Sequence, residues 1–120
     1  MVLRGGSSGP NYDSVHIKLA EVELDKAGLS SNIMVDCSHA NSEKKPELQP
    51  AVAQNVIQQI VDGKTSIIGL MLESNLKAGK QSLGSDLSTL EYGVSITDGC
   101  ISFEETEQLL RSACDALAGS

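Results

Sequence analysis

Short apolar runs alternate along this chain with segments in which apolar residues recur at helical spacing. Glycine, serine, asparagine and proline bound most of the runs, which is the pattern of short strands. Strands are therefore predicted at residues 2–4, 32–38, 66–74 and 94–97. The third of these is apolar at almost every position, so both of its faces are apolar.

The first helix is predicted to run from residue 13 or 14 to residue 27. Gly28 follows as its C-terminal stop, since glycine readily adopts the left-handed conformation that ends helices. Its predicted apolar face consists of Val15, Leu19, Val22 and Leu24.

Two further helices are predicted after the second and fourth strands. The second covers residues 51–63, and Pro46 and Pro50 fall at its entry and in its first turn, where proline is tolerated. The third begins at a capping box formed by Ser102 and Glu105 and continues to about residue 117. Residues 75–93 are predicted to form a long loop, and loops of that length are uncommon unless functional.

Strands that alternate with helices indicate an α/β fold with parallel pairing and right-handed crossovers. The 120 residues fit one small domain or a piece of a larger one. Aromatic residues are scarce, so the core is expected to be aliphatic, as in a parallel sheet covered by helices.

Composition excludes several classes of partner. The formal net charge of −7 argues against a nucleic-acid or anionic-membrane surface, because both require a basic face. No apolar run approaches the roughly 20 residues of a membrane span. The three cysteines are widely spaced, which favours free thiols in a reducing cytoplasm over a disulfide framework.

Each predicted strand ends in groups that carry charge or chemistry. These are Arg4 after the first strand, His39 after the second, Glu73 in the third and Asp98 after the fourth. Because the carboxyl ends of parallel strands lie on one face, where ligands bind, these four residues are predicted to be neighbours in space.

One imidazole and two carboxylates on separate strand ends can form a metal site with open positions. Mixed nitrogen and oxygen ligands suit Mn, Fe, Co or Zn better than Ca or Mg. Arg4, beside two glycines, could hold a phosphate or carboxylate through its forked donors. Taken singly, each residue also fits a structural role: His39 and Glu73 as surface residues at loop starts, and Arg4 and Asp98 as parts of turns.

A further set of motifs resembles the C-terminal part of the type I 3-deoxy-D-arabino-heptulosonate 7-phosphate (DAHP) synthases. The resemblance covers essentially the whole chain, in the order LRGG, NYD, VDCSHANS, GLMLESNL, GKQSL and LEYGVSITDGCISFEETEQLLR. It implies the C-terminal half of a (β/α)₈ TIM barrel, with about four parallel strands and their helices, as one partial domain over residues 1–120.

The resemblance also implies an activity and its site. Members of the family are transferases that condense phosphoenolpyruvate with erythrose 4-phosphate, releasing phosphate, in the first step of the shikimate pathway to aromatic amino acids. It implies a divalent metal, Mn²⁺ or else Fe²⁺, Co²⁺ or Zn²⁺, bound by His39, Glu73 and Asp98. It further implies that Arg4 and His39 bind phosphoenolpyruvate, and that His39 and Asp98 take part in catalysis.

The same resemblance implies that this chain is incomplete. A metal-ligating cysteine near the first barrel strand and the basic residues that hold both phosphates are missing from it. A half barrel leaves exposed strand edges, expected near Val2 and Ser95, and an uncovered apolar face. The chain is therefore expected to pair with the missing half or with itself, and an inactive half-barrel fragment or assembly module is the alternative to a working enzyme.

Two questions stay open at the level of sequence. Asp36, Ser38 and Asn41 surround His39 in the chain, and they either orient it through hydrogen bonds or satisfy loop backbone groups. A different metal-dependent barrel enzyme, such as an aldolase, is a third interpretation of the strand-end residues.

Overall fold

A computed structural model describes residues 1–119. Within them lie three strands, three α-helices and three short 3₁₀ turns. The strands are β1 (Val2–Leu3), β2 (Ile33–Asp36) and β3 (Ile67–Met71), the helices are α1 (Ser14–Lys26), α2 (Gln49–Val61) and α3 (Phe103–Ala118), and the turns are His39–Ser42, Pro46–Leu48 and Leu87–Thr89.

The three strands form one parallel sheet in the order β1-β2-β3. Val2 of β1 pairs with Met34 of β2, and Asp36 of β2 pairs with Met71 of β3. The carboxyl ends of all three strands therefore lie at the same edge, which confirms the parallel α/β prediction. None of the helices within residues 1–119 combines the length and apolar character needed to cross a bilayer.

The described residues contain no strand at 94–97, so the prediction of a fourth strand there is wrong. Ser95 makes only an isolated bridge to Lys80, and the Thr97 amide donates to Ser95 Oγ at 3.1 Å. That local hydrogen bond turns the chain at the point where a strand would have to continue. The sheet described here thus has three strands rather than about four, and its edges are β1 and β3 rather than a strand near Ser95.

The helix boundaries agree closely with the predicted ones. Asp13 caps α1 by accepting from the His16 amide, and Gly28 follows the helix with φ +70°. Ser102 Oγ accepts from the Glu105 amide at 3.2 Å, so α3 begins at the predicted cap. Pro50 lies in the first turn of α2.

The buried face of α1 differs from the predicted one. Ile17, Ala20 and Leu24 pack into the core, whereas Val15 and Leu19 are exposed. The helix carries apolar residues on two faces, and spacing alone does not decide between them. The core lies between the sheet and the helices, and it is built from Ile33 and Val35 of β2 and their neighbours on α1, α2 and α3.

The opposite face of the sheet is partly open. Ile68 of β3 is 62% exposed and Val2 of β1 is 54% exposed, while Met34 between them is half-buried. The third strand is apolar on both faces, but within the described residues only part of it is covered, since Ile67 is buried and Ile68 is not.

Candidate metal centre

His39, Glu73 and Asp98 converge at the carboxyl edge of the sheet. One ligand atom from each lies within 4.8 Å of the others. His39 Nε2 is 3.3 Å from Glu73 Oε1 and 3.5 Å from Asp98 Oδ2. Three residues from well-separated parts of the sequence thus present one nitrogen and two oxygens to a common point.

His39 stands in a tight turn directly after β2. Its φ is +53°, a left-handed conformation that non-glycine residues adopt only when their surroundings hold them there. Asp36, at the end of β2, contacts the ring at the nitrogen opposite the two carboxylates, with its Oδ2 2.9 Å from His39 Nδ1. The ring is therefore held at Nδ1 while Nε2 faces the two carboxylates.

Asn41 ties this turn to the end of β1. Its side-chain amide donates to the carbonyls of Leu3 at 3.2 Å and Asp36 at 2.9 Å, and its own carbonyl accepts from the Asn11 amide at 2.7 Å. Asn11 in turn accepts from the Gly5 amide at 2.8 Å. These bonds satisfy buried backbone groups where β1 and β2 end together.

Glu73 is positioned by a glutamine that sequence reasoning missed. Gln49 is fully buried at the start of α2, and its amide holds both backbone groups of Glu73. Its Oε1 accepts from the Glu73 amide at 2.9 Å, and its Nε2 donates to the Glu73 carbonyl at 3.1 Å. No local motif marks this residue, because its partner lies 24 positions away in sequence.

Asp98 approaches on a segment without regular secondary structure. Gly79 and Cys100 exchange two backbone hydrogen bonds, of 2.9 and 3.1 Å, and the Ile101 amide donates to the Glu73 carbonyl at 3.0 Å. A Cβ at Gly99 would lie 2.9 Å from Pro46 Cγ, so a small residue allows the segment to pack against the Pro46–Leu48 turn. Asp98 itself is the most exposed of the three converging side chains.

The three groups line a cleft of about 250 Å³. Lys44 and Lys80 also line it, and neither forms a salt bridge within residues 1–119. Lys80 lies in the GKQSL motif of the family resemblance, but neither lysine was assigned a role from the sequence. The cleft thus combines two carboxylates and an imidazole with two free cationic side chains.

Arg4 is not among the residues that line this cleft. Its side chain is exposed, and within residues 1–119 its guanidinium makes no hydrogen bond or ion pair. Its backbone carbonyl accepts from the Asn41 amide at 3.2 Å, so the residue lies at the same edge of the sheet as the His39 turn. The described residues bring together three of the four predicted neighbours by their side chains, and the fourth by its backbone.

The two cysteines nearest the site are buried and free. Burial, with a contribution from the neighbouring Asp36 charge, raises the pKa of the Cys37 thiol to about 12. Burial also raises the pKa of the Cys100 thiol, and the charges of Glu73 and Asp98 act in the same direction. Both thiols are therefore protonated at neutral pH, which is the state of inert core cysteines rather than of metal ligands.

Residues 1–111 match the family model described as the DAHP synthetase I family. The chain is 50% identical over 119 residues to the Tyr-sensitive phospho-2-dehydro-3-deoxyheptonate aldolase of Salmonella typhimurium, covering 99% of this chain and 33% of the relative. It is 47% identical over 117 residues to the Phe-sensitive enzyme of Escherichia coli, covering 98% and 33%. The chain thus spans about a third of the length of these curated relatives.

A solved structure of the phospho-2-dehydro-3-deoxyheptonate aldolase from Francisella tularensis has the same local fold. It superposes with a TM-score of 0.90 at 41% sequence identity, and the match covers 96% of this chain and 33% of that one. The arrangement of strands and helices described above is therefore shared with that part of a much longer protein.

Proposed function

Because the chain belongs to the DAHP synthetase I family, we propose that it supplies part of the active site of a DAHP synthase. The observation that carries this proposal is the convergence of His39, Glu73 and Asp98 within 4.8 Å at the carboxyl edge of a parallel sheet. In α/β folds this edge is where ligands bind. The chain spans only about a third of its relatives, so the complete reaction is proposed for the protein to which this part contributes.

The proposed reaction joins two phosphorylated substrates. C3 of phosphoenolpyruvate attacks the aldehyde carbon of erythrose 4-phosphate, water adds at C2, and inorganic phosphate leaves to give DAHP. This is the entry step to aromatic amino acids, and it requires a polarised aldehyde and firm placement of two anionic substrates.

The donor set fits a divalent transition metal. An imidazole nitrogen and two carboxylate oxygens from three separate segments suit Mn²⁺, which we propose, and also Fe²⁺, Co²⁺ or Zn²⁺. When bound, such an ion supplies Lewis acidity toward the aldehyde oxygen. His39, Glu73 and Asp98 would hold it, and three protein donors leave positions open for further ligands.

Other residues are proposed to hold the substrates. Arg4 carries a free guanidinium at the same edge of the sheet and is proposed to bind phosphoenolpyruvate, together with His39. Lys44 and Lys80 line the cleft and offset its two carboxylates, which favours entry of a phosphorylated substrate. Asp98 is proposed to act in catalysis as well as in metal binding, since it is the ligand most open to the cleft.

We further propose that residues 1–120 are part of a (β/α)₈ barrel. The open face that carries Val2 and Ile68 would then be covered by the remainder of the barrel or by a second copy of the chain. The buried free thiols Cys37 and Cys100 are consistent with a cytoplasmic location. The same open face also supports the second candidate, an inactive fragment or assembly module.

Titration of the purified chain with Mn²⁺, followed by EPR, tests the metal site. We expect binding by the parent chain, and a loss of affinity of at least about tenfold in His39→Ala, because a ligand is removed. His16→Ala is the matched control, since His16 is exposed and lies on α1, away from the site. Equal binding by all three proteins would refute the proposed ligand set.

A second assay separates the two candidate functions. The chain is incubated with Mn²⁺, phosphoenolpyruvate and erythrose 4-phosphate, and phosphate release is measured. Release that depends on His39 supports a working enzyme. Metal binding without any release supports the inactive fragment.

A further inference from the structure

A buried carboxylate holds the ring of His39 from the side opposite the proposed metal site. Asp36 is 4% exposed and stands at the end of β2. Its Oδ1 accepts from the Ser38 amide at 2.8 Å and from Ser38 Oγ at 2.7 Å. Its Oδ2 lies 2.9 Å from His39 Nδ1, so both carboxylate oxygens are engaged within one short turn.

These distances favour a proton on Nδ1, because its carboxylate acceptor lies at 2.9 Å whereas the carboxylate oxygens nearest Nε2 lie at 3.3 and 3.5 Å. Ser38 Oγ is also 2.8 Å from His39 Nδ1, but the hydroxyl has only one proton to donate. If that proton went to Nδ1, Asp36 Oδ2 would face an unprotonated nitrogen at 2.9 Å, with lone pair against lone pair. The consistent arrangement has the hydroxyl donating to Asp36 Oδ1 and the Nδ1–H of His39 donating to Asp36 Oδ2.

We propose that Asp36 is a positioning residue that keeps the His39 proton on Nδ1 and so leaves the Nε2 lone pair facing Glu73 and Asp98. A metal-ligating histidine is oriented in this way when its other nitrogen donates to a carboxylate. The bond also helps to hold His39 in its left-handed backbone conformation, with φ +53°. The benefit of this arrangement depends on the proposed metal site. The position of the proton can be tested without any metal.

The proton position can be measured in the metal-free chain by long-range ¹H–¹⁵N correlation spectra of the imidazole rings. The chain has two histidines, so two ring patterns are expected, and a His16→Gln variant assigns them. The pH is raised until the His39 ring carries a single proton. We expect that proton on Nδ1 in the parent chain; a proton on Nε2 would overturn the inference.

Two substitutions at the turn identify the group responsible. In Asp36→Ala the Nδ1–H loses its acceptor, so we expect the His39 pattern to move toward the Nε2–H form that predominates in free imidazole side chains. In Ser38→Ala the carboxylate remains, so the proton should stay on Nδ1. The opposite result, a change in Ser38→Ala and none in Asp36→Ala, would assign the role to the serine hydroxyl and overturn the inference.

A matched control exists on α1. Asp13 Oδ1 lies 2.5 Å from His16 Nδ1 in an exposed pair with the same spacing in sequence. Asp13→Ala should change the His16 pattern and leave that of His39 unaltered. If Asp36→Ala does not fold, as judged by loss of dispersed amide signals, the parent spectrum and Ser38→Ala still decide the question.

Metal affinity provides the second readout. We expect Asp36→Ala to weaken Mn²⁺ binding by about 10–100-fold, the usual effect of removing the hydrogen-bond partner of a ligating histidine. If the parent chain holds the proton on Nδ1 but binds no metal, the proposed function fails and the tautomer assignment stands. If metal binds equally well to the parent and to Asp36→Ala, the positioning role is refuted while the ligand set stands.

Discussion

Gly5 has a backbone conformation and a set of neighbours that together leave no room for a side chain. Its φ is +77°, and a Cβ there would lie 2.7 Å from Ala40 Cβ and 2.8 Å from the Asn41 amide nitrogen. The end of β1 can therefore approach the His39 turn closely only because this residue is glycine.

Replacing Gly5 by alanine should lower the free energy of unfolding by about 2–4 kcal/mol, since backbone strain and overpacking add. Gly28→Ala is the matched control, because Gly28 has a similar φ of +70° but open space around its Cβ position. That change should cost only about 1 kcal/mol. Urea denaturation of both variants measures the difference, and equal losses would show that the close approach to Ala40 has no energetic weight.

Helix α1 is joined to the segment before β3 by one glutamate. Glu21 Oε1 accepts from Lys64 Nζ and from Ser66 Oγ, each at 2.8 Å. The hydrogen bond from Lys64, followed by that from Ser66, holds the pKa of the Glu21 carboxyl below its ordinary value. A carboxyl whose pKa is lower in the folded than in the unfolded chain stabilises the fold above the unfolded value, and this contribution is lost as pH falls through the folded value.

Glu21→Gln should therefore lower the free energy of unfolding by about 1–2 kcal/mol at neutral pH. The difference from the parent chain should shrink in acid, as the pH falls through the lowered pKa of Glu21 and its carboxyl becomes protonated. Glu23→Gln on the same helix is the control, because Glu23 makes only an exposed pair with Lys26 at 3.5 Å. Thermal melts across this pH range test the idea, and a difference that persists unchanged in acid would contradict it.

Elements with strong local signals were predictable from sequence. The cap at Ser102 and the glycine stop at Gly28 determine the ends of α3 and α1, and both are local features. The buried face of α1 was not predictable from sequence, because apolar residues lie on two of its faces. Which of the two is buried depends on the elements that pack against the helix. The strand at 94–97 failed for a related reason, since apolar alternation does not supply a neighbouring strand.

In the candidate site, too, some features were predictable from sequence and others depend on tertiary contacts. Parallel topology brings strand ends together, so the proximity of His39 and Glu73 could be predicted from the order of the strands. Asp98 was also predicted to join them, but it does so on an irregular segment rather than at the end of a strand. The role of Gln49 depends on a contact across 24 positions of sequence, and no local pattern encodes such a contact. The position of Lys44 and Lys80 in the cleft was not predicted, because tertiary packing determines where their loops lie.

The whole molecule leaves apolar surface on the open face of its sheet. Ile68, at 62% exposure, lies on β3, and Met71 on the same strand is 44% exposed. Exposed apolar side chains on a sheet are typical of a surface that is covered in a larger assembly. The family comparison fits this view, since the relatives are about three times as long as the chain.

We expect the isolated chain to associate through this face at micromolar concentration. Ile68→Ser should reduce both the associated fraction in size-exclusion chromatography with light scattering and the binding of an apolar dye. Leu87→Ser is the control, because Leu87 is similarly exposed but lies in the long loop rather than on the sheet. A parent chain that elutes as a monomer and binds no dye would rule out the expectation.

The three proposed ligands lie on stretches of chain that meet only after both crossovers have formed. An unfolded chain therefore contains no such site, and a cation bound by these groups would bind the native state alone. By mass action, an ion present at a hundred times its Kd would then add about 2.7 kcal/mol to the free energy of unfolding. The melting temperature of this chain would become a property of the solution as much as of the sequence, rising with free metal and falling when a chelator removes it.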